Sequence, residues 1–375
     1  MTDVTLHHRP VLFMAGGTGG HVFPALAVAE ALRAQGIPIS WLGTQRGLEA
    51  RVVPPAGIDV HYISISGLRG KGKKQLVILP FTLARAIWQS LRILRTLRPV
   101  AVVGMGGFVT GPGGIAARLL GIPLLIHEQN AVAGLTNRWL ARLATEVMEA
   151  FPNTFPSSRK AHYTGNPLRM SIMALPSSKT LHRPLHILIV GGSLGAQILN
   201  EIVPQALQQI QTPIEVWHQT GATHLESMQQ AYHQAPFQAK VEAFIDDMAS
   251  AYQWADLVIC RAGALTISEL AQAALPSLLI PYPHACDDHQ TRNAEFLTQK
   301  GAALLLPQND LSVEKLVELL SELLAHPSRL QTMSVAARQC ALPTALQTIV
   351  ELCLKYVPFH EQHRKMIYER QWTQP

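Results

Sequence analysis

The four cysteines, Cys260, Cys286, Cys340 and Cys353, lie too far apart for a C-x-x-C pair, and no histidine cluster completes a zinc spacing. That excludes a zinc ribbon and a disulfide scaffold, and it favours free thiols in a reducing compartment. Long apolar runs are missing too. None approaches the roughly 20 residues of a membrane span. The first, Val11–Ala15, is too short for a signal-peptide core and ends in a glycine turn. Residues 76–83 contain Pro80 and are soon followed by Arg85. A soluble, cytoplasmic chain is expected, at most peripheral to a membrane. Charged residues are sparse at 15% against 48% hydrophobic, which excludes disorder and fits two or three core-rich domains in 375 residues. There is no D-x-D, since Asp246-Asp247 and Asp287-Asp288 are adjacent pairs. A diphosphate held on a metal through that motif is therefore disfavoured, and no metal or cofactor is expected.

The charge that is present is shared unevenly. Residues 1–165 carry 17 Lys/Arg against 7 Asp/Glu, a balance of +10, while the remainder stands at −4 and the whole at +6. A basic N-terminal half calls for an anionic partner on that side, and no nucleic acid is expected as one.

The most informative feature is a repeat. Val11–Ala15 runs into Gly16-Gly17-Thr18-Gly19-Gly20-His21, and Leu185–Val190 runs into Gly191-Gly192-Ser193-Leu194-Gly195-Ala196. Each copy is an apolar strand, a glycine-rich turn with a hydroxyl residue, and a helix start. Such a turn brings backbone N–H groups close to an anion, and the helix N-terminus adds roughly half a positive charge. Two copies predict two Rossmann-like halves facing one another, with a phosphate-bearing ligand between them. Strand-like runs at 39–42, 100–103, 124–126 and 146–150 alternate with helical spacing at 25–34 and 83–97. The second half repeats this, with strands at 215–219, 240–244, 257–259, 277–280 and 303–306. Its helices are expected at 198–209, 247–254, 265–273, 288–300, 313–325 and 344–357. That alternation is the βαβ pattern of an α/β fold with parallel sheets.

A dinucleotide fingerprint is incomplete. Val22 stands where G-x-G-x-x-G needs its last glycine, and the second strand ends Leu42-Gly43-Thr44-Gln45 without a carboxylate. A nicotinamide enzyme is disfavoured. His21 instead places an imidazole at a helix N-terminus. That position suits a general base, since an imidazole titrates near neutral pH, or a cap-region histidine that only packs. Three further clusters follow strands and open loops or helices. In Arg261-Ala262-Gly263-Ala264-Leu265-Thr266-Ile267-Ser268-Glu269, backbone amides are offered to an anion, and Glu269 suits either ribose hydroxyls or the helix dipole. In Asp287-Asp288-His289-Gln290-Thr291-Arg292-Asn293, amide and carboxylate groups suit sugar hydroxyls or a polar helix cap. In His127-Glu128-Gln129-Asn130, four hydrogen-bonding side chains sit at the carboxyl end of a strand, where open α/β sheets bind ligands, or where a loop needs only turn chemistry. The glycine loop of residues 104–111 is expected to be a flexible turn or a further anion cradle.

Taken in order, these motifs together with Gly165-Asn166-Pro167 resemble the MurG family, GT-B glycosyltransferases of family 28 that make peptidoglycan. The resemblance covers roughly residues 8–357. It implies two Rossmann-like domains around a central cleft, the first of residues 1–165 with 344–357 and the second of 166–343, followed by a tail from 358 to 375. It implies inverting transfer of N-acetylglucosamine from UDP-N-acetylglucosamine to the 4-hydroxyl of undecaprenyl-pyrophosphoryl-N-acetylmuramoyl-pentapeptide. In other words lipid I becomes lipid II at the cytoplasmic face of the inner membrane. By the same resemblance the backbone at Ile245 meets the uracil, Glu269 the ribose, and Ser193 with the turn at Ala264, Leu265 and Thr266 the pyrophosphate. Ile267 and Ser268 complete that turn. Gln290, Asn293 and Asn130 face the sugar, Arg169 and Arg261 stabilise phosphate or the closed cleft, and Thr18, Gly19 and Gly20 lie near the pyrophosphates. His21 is the expected base, or at least a group that orients the acceptor, with Asn130 and the 104–111 loop as its neighbours.

An anionic membrane surface is a further expected partner. Arg69, Lys71, Lys73 and Lys74 precede the apolar run 76–81, and Ile87, Trp88, Leu91, Ile93 and Leu94 alternate with Arg85, Arg92, Arg95 and Arg98. A core helix with a basic solvent face is the simpler reading of the same residues. Competing functions are a GT-B transferase with another acceptor, such as diacylglycerol, and a non-catalytic nucleotide-sugar binder.

Overall fold

Five consecutive apolar residues form the first strand, β1 (Val11–Ala15), and none of them touches solvent. Such a strand is stable only where both faces of its sheet are covered. Val11, Phe13 and Ala15 point into one apolar cluster, Leu12 and Met14 into another. β1 is followed by β2 (Ile39–Gly43), β3 (Asp59–Tyr62), β4 (Ala101–Gly106), β5 (Leu124–Glu128), β6 (Glu146–Glu149) and β7 (His162–Tyr163). All pair in parallel in the order β3-β2-β1-β4-β5-β6-β7. The second sheet comprises β8 (Leu185–Val190), β9 (Ile214–Gln219), β10 (Gln238–Glu242), β11 (Leu257–Cys260), β12 (Ser277–Leu279) and β13 (Ala303–Leu305). Its order is β10-β9-β8-β11-β12-β13, again all parallel. In both sheets the winding reverses beside the first strand, and that crevice at the carboxyl ends is where doubly wound sheets bind ligands.

This computed structural model describes residues 9–65, 73–192 and 195–358, without the side chains of 73–78 and 286. The chain divides into one unit of residues 1–167 with 344–375 and a second of 168–343. In the first unit, helix Gly19–Arg33 packs Val22, Ala25, Val28, Ala29 and Leu32 on one face of the sheet. Helix Ala345–Leu354 joins it there through Ile349, Val350, Leu352 and Cys353. The opposite face is covered by helices Lys73–Leu97 and Thr110–Leu119, through Ala86, Leu94, Ala116 and Ala117.

Several expectations change. Helix Lys73–Leu97 begins ten residues before the expected start at Leu83 and runs through Pro80, which forgoes one backbone hydrogen bond. Leu94 is fully buried, and Leu91 and Ile93 pack on the core, so these three do not belong to a membrane-facing stripe. Most of the 104–111 segment belongs to regular elements. It ends β4 and starts helix Thr110–Leu119, and Thr110 Oγ1 donates to the carbonyls of Met14 (3.2 Å) and Gly106 (2.8 Å). β3 and β7 were not expected, because they are edge strands whose side chains are exposed or half-exposed. Cys260 and Cys353 are buried and unpaired, with burial pushing both thiols up to about 12. Cys340 is also free. Among the described residues no helix is long and apolar enough to cross a membrane. Ser193, Arg69, Lys71 and the tail from 359 lie outside the described residues, as do the side chains of Lys73, Lys74 and residues 76–78.

Candidate functional site

The first glycine turn is partly filled by the protein itself. Glu49 has no solvent exposure. Its Oε2 accepts from the backbone N–H of Gly17 (3.0 Å), and its Oε1 from the N–H and hydroxyl of Thr44 (both 2.8 Å). An added Cβ at Gly16, Gly43 or Gly47 would sit 2.1–2.8 Å from this side chain, so the three glycines make room for it. The carboxylate missing from the end of β2 thus arrives from the short helix Glu49–Val52 and turns inward. Thr18, Gly20 and Gly17 remain exposed, Gly19 is half-exposed, and Thr18 caps helix Gly19–Arg33 without a side-chain bond.

His21 lies in the first turn of that helix, half-buried against β4. Gly106 (φ +104°) makes this possible, because a Cβ there would come within 2.5 Å of His21 Nδ1. The ring bonds to Gln129, with Nδ1 and Oε1 3.0 Å apart. Gln129 Nε2 in turn meets His127 Nδ1 (3.0 Å) and the His127 carbonyl (3.2 Å), and His127 Nε2 meets the Gly165 carbonyl at 2.9 Å. His127 and Gln129 are buried, and loss of hydration lowers the His127 pKa to about 4. The expected neighbour Asn130 is held instead by Glu128, whose Oε1 accepts from its backbone N–H (3.0 Å) and side-chain amide (3.2 Å). Glu128 Oε2 accepts from Gly134 and Asn137 as well. Of the four-residue cluster, Glu128 therefore organises the loop.

In the second unit the described residues of the corresponding turn border a cavity. Gly195 (φ +75°) sits where a Cβ would be 2.1 Å from the Thr220 carbonyl, so no other residue fits the bend. Gly191, Gly192 and Gly195 line a cavity of about 530 Å³ with Arg261, Thr266 and Gln290, a size suited to a small-molecule ligand. Helices Gln197–Leu207 and Ala264–Gln272 begin at its edge. Neither has a side-chain cap or an acidic residue in its first turn, so two sets of N-terminal amides are available to an anion. Arg261 is braced by the carbonyls of Ile280 and Pro281 (both 3.1 Å) and by Gln308 Oε1 (2.7 Å). Two helix N-termini and a braced guanidinium suit a dinegative group.

The structure brings Arg169 and Glu269 together, with Nη2 and Oε1 3.5 Å apart. The Tyr252 hydroxyl donates to the other carboxylate oxygen at 3.0 Å. Burial raises the Glu269 pKa, and Arg169 and Tyr252 oppose it. Tyr252 is pushed well above the usual phenol range by burial and by Glu269, so it stays a donor. Gln290 Oε1 accepts from the backbone N–H groups of Tyr282 (2.9 Å) and Ala262 (3.3 Å). Asn293 is fully buried and donates to the Ala262 carbonyl (3.2 Å). It supports the cavity wall, and the expected direct contact with a sugar does not hold for a side chain with no exposure. Ile245 and Ile267 are buried, which leaves only their backbone to a ligand. Ser268 Oγ donates to the Ala264 carbonyl within its helix (3.2 Å). Leu265 and Thr266 are half-exposed, and Ala264 is buried at the start of that helix.

Sequence reasoning missed Glu49, Tyr252 and Gln308. Glu49 carried a signal, a lone acid among Gly43, Thr44 and Gly47. Tyr252 and Gln308 carried none, since each reaches its partner across more than one element. Among the described residues one group has metal-ligand types, His182, His186 and Asp256. The two rings stack at 4.1 Å and 16°, and His186 Nδ1 bonds to the Trp254 carbonyl (3.0 Å). Lone pairs of stacked rings do not converge on one ion. Asp256 also accepts from the backbone N–H groups of His182 and His186, so the group is a strut.

Comparison with known proteins agrees with this anatomy. The glycosyltransferase family 28 N-terminal domain matches residues 11–149, and the family 28 C-terminal domain matches residues 186–349. A UDP-N-acetylglucosamine--N-acetylmuramyl-(pentapeptide) pyrophosphoryl-undecaprenol N-acetylglucosamine transferase of Ectopseudomonas mendocina is 54% identical over 346 residues, 92% of this chain and 97% of that one. The protein of the same description from Pseudomonas entomophila is 53% identical over 350 residues, 92% and 98% of the two chains. The crystal structure of Acinetobacter baumannii MurG is 47% identical with a TM-score of 0.83, covering 92% of this chain and 99% of that one.

Proposed function

The chain belongs to glycosyltransferase family 28, and from that membership we infer that it transfers N-acetylglucosamine from UDP-N-acetylglucosamine to N-acetylmuramyl-(pentapeptide) pyrophosphoryl-undecaprenol. The observation that carries the donor half is the second-unit cavity, with its lining glycines, its two uncapped helix N-termini and its braced Arg261. A UDP group fits this chemistry. The amides take the diphosphate, Glu269 accepts from ribose hydroxyls, the Ile245 backbone meets the uracil, and Gln290 faces the sugar. As the anomeric C–O bond breaks, its electron pair leaves on UDP, and the developing charge falls on those amides and Arg261. No metal is needed for that step.

The acceptor half rests on the first unit. The acceptor 4-hydroxyl gives its proton to His21 as its oxygen bonds to the anomeric carbon, with inversion. Thr18, Gly19 and Gly20 suit the acceptor pyrophosphate, because the part of the turn that Glu49 leaves is exposed.

The acceptor is a lipid, and helix Lys73–Leu97 supports docking on an anionic bilayer at the cytoplasmic face. Phe81 and Trp88 are 76% and 59% exposed. Arg85, Arg92 and Arg95 are exposed at the same helical spacing. Binding to anionic vesicles should fall when Phe81 and Trp88 are both changed to Ser, and full retention would remove this part.

The deciding experiment incubates the protein with labelled UDP-N-acetylglucosamine and a soluble analogue of the lipid acceptor, with UDP-glucose and diacylglycerol as parallel arms and EDTA as another. Transfer only with the first pair, undiminished by chelation, is expected. Transfer to diacylglycerol instead would replace the acceptor, and loss with EDTA restored by magnesium would overturn the metal-free mechanism.

A further inference from the structure

The hydrogen-bond chain behind His21 ends on a group with no choice. The Gly165 carbonyl only accepts, so His127 Nε2, 2.9 Å away, must carry a hydrogen. His127 is fully buried and protonates only near pH 4, so at neutral pH it holds one proton and its Nδ1 is a lone pair. That lone pair accepts from Gln129 Nε2 at 3.0 Å. The same NH2 also meets the His127 carbonyl at 3.2 Å, which fixes the carboxamide orientation a second time. Gln129 Oε1 is then the atom turned to His21, and an amide oxygen only accepts. His21 Nδ1 must therefore be the donor.

We propose that Gln129 and His127 are positioning residues that hold His21 in the tautomer with its proton on Nδ1, leaving Nε2 as the nitrogen that takes the acceptor's proton. The inference deepens the reading of His21 as base and rests on it for its catalytic meaning. After transfer, His21 carries both protons and the positive charge. Gln129 is a neutral carboxamide and cannot take that charge, and His127 resists it. The chain orients the base without sharing its proton, unlike a carboxylate partner, which would favour the protonated ring. Gly106 completes the arrangement by letting the ring lie flush on β4.

Long-range proton–nitrogen spectra of the full chain with labelled histidine, recorded without substrate at mildly alkaline pH, test this. His21 is identified as the signal set lost in His21→Gln. The expected pattern is a pyrrole-type Nδ1 and a pyridine-type Nε2 for His21, with the opposite pattern for His127. In Gln129→Met, His21 should shift toward the Nε2–H form, while His127 keeps its own pattern through Gly165 and reports that the site is folded. Turnover by Gln129→Met should fall roughly tenfold with the donor KM unchanged, well short of the 10²–10⁴ of a removed base. A wild-type His21 protonated on Nε2, or a Gln129→Met spectrum like the wild type, overturns the proposal. The tautomer is read without substrate, so a failed transfer assay beside the expected spectrum would count against the enzyme reading alone.

Discussion

In the first unit the glycine turn meets Glu49, a buried carboxylate that takes the Gly17 amide for itself. In the second, the helix after the matching turn has no acid in its first turn, and the turn's described glycines line a cavity of about 530 Å³. Strand, glycine turn and helix follow one another in both, so the motif fixes an order of elements and not a ligand. What differs is whether the chain supplies the anion internally. Where it does, the turn is a structural joint that presents His21. Where it does not, the turn is left to the proposed ligand.

The division of labour is most exposed to removal of the base. His21→Ala should lower kcat by roughly 10²–10⁴ and leave the donor KM near its wild-type value. A rise in donor KM alone would merge the two roles.

Acid treats both units alike. His127 in the first and His218 in the second are buried and neutral, with pKa values lowered to about 4 and about 3 by desolvation, against 6.5 for a free imidazole. Below 6.5 the unfolded chain binds protons that the folded chain refuses, so stability falls with pH until the folded values are reached. Each should remove roughly 3–5 kcal/mol over that window. Denaturant midpoints measured from pH 7 to pH 4 check it, and a flat profile would mean that neither ring is buried in solution.

Glu49→Gln keeps the shape but turns an NH2 toward the Gly17 N–H. A buried donor left without an acceptor costs roughly 1–3 kcal/mol. Thermal melting should register that loss while the donor KM stays unchanged. Raised donor affinity in this variant would show that Glu49 had been competing with substrate. The smallest effect belongs to Glu269→Gln. It keeps a bond to Tyr252 and loses a charged acceptor, so the donor KM should rise roughly tenfold. Calorimetry with UDP alone separates this from any change in turnover.

Much of this was legible beforehand because apolar runs bounded by glycine are strong signals. β1 and β8 begin and end where the sequence places them, and helix Val313–Ala325 matches in full. Helix Pro327–Gln339 was missed because polar residues interrupt its apolar spacing, and only Leu330, Met333 and Ala337 are buried. At the site, residue types were readable and their partners were not. Arg169 was expected on phosphate or the closed cleft, and its pairing with Glu269 was not foreseen. Asn293 was expected on a sugar and braces the Ala262 carbonyl. Each of these depends on which loops approach one another, information that no local window contains.

Helix Ala345–Leu354 packs with the first unit although the whole of the second precedes it in the chain. On the ribosome, residues 168–343 emerge as an unbroken stretch and can settle at once. The portion made earliest must wait, with the surface around Val22 and Val28 uncovered, until almost the last segment has been translated. A stop codon placed after residue 343 would therefore injure the opposite end of the protein from the one it shortens.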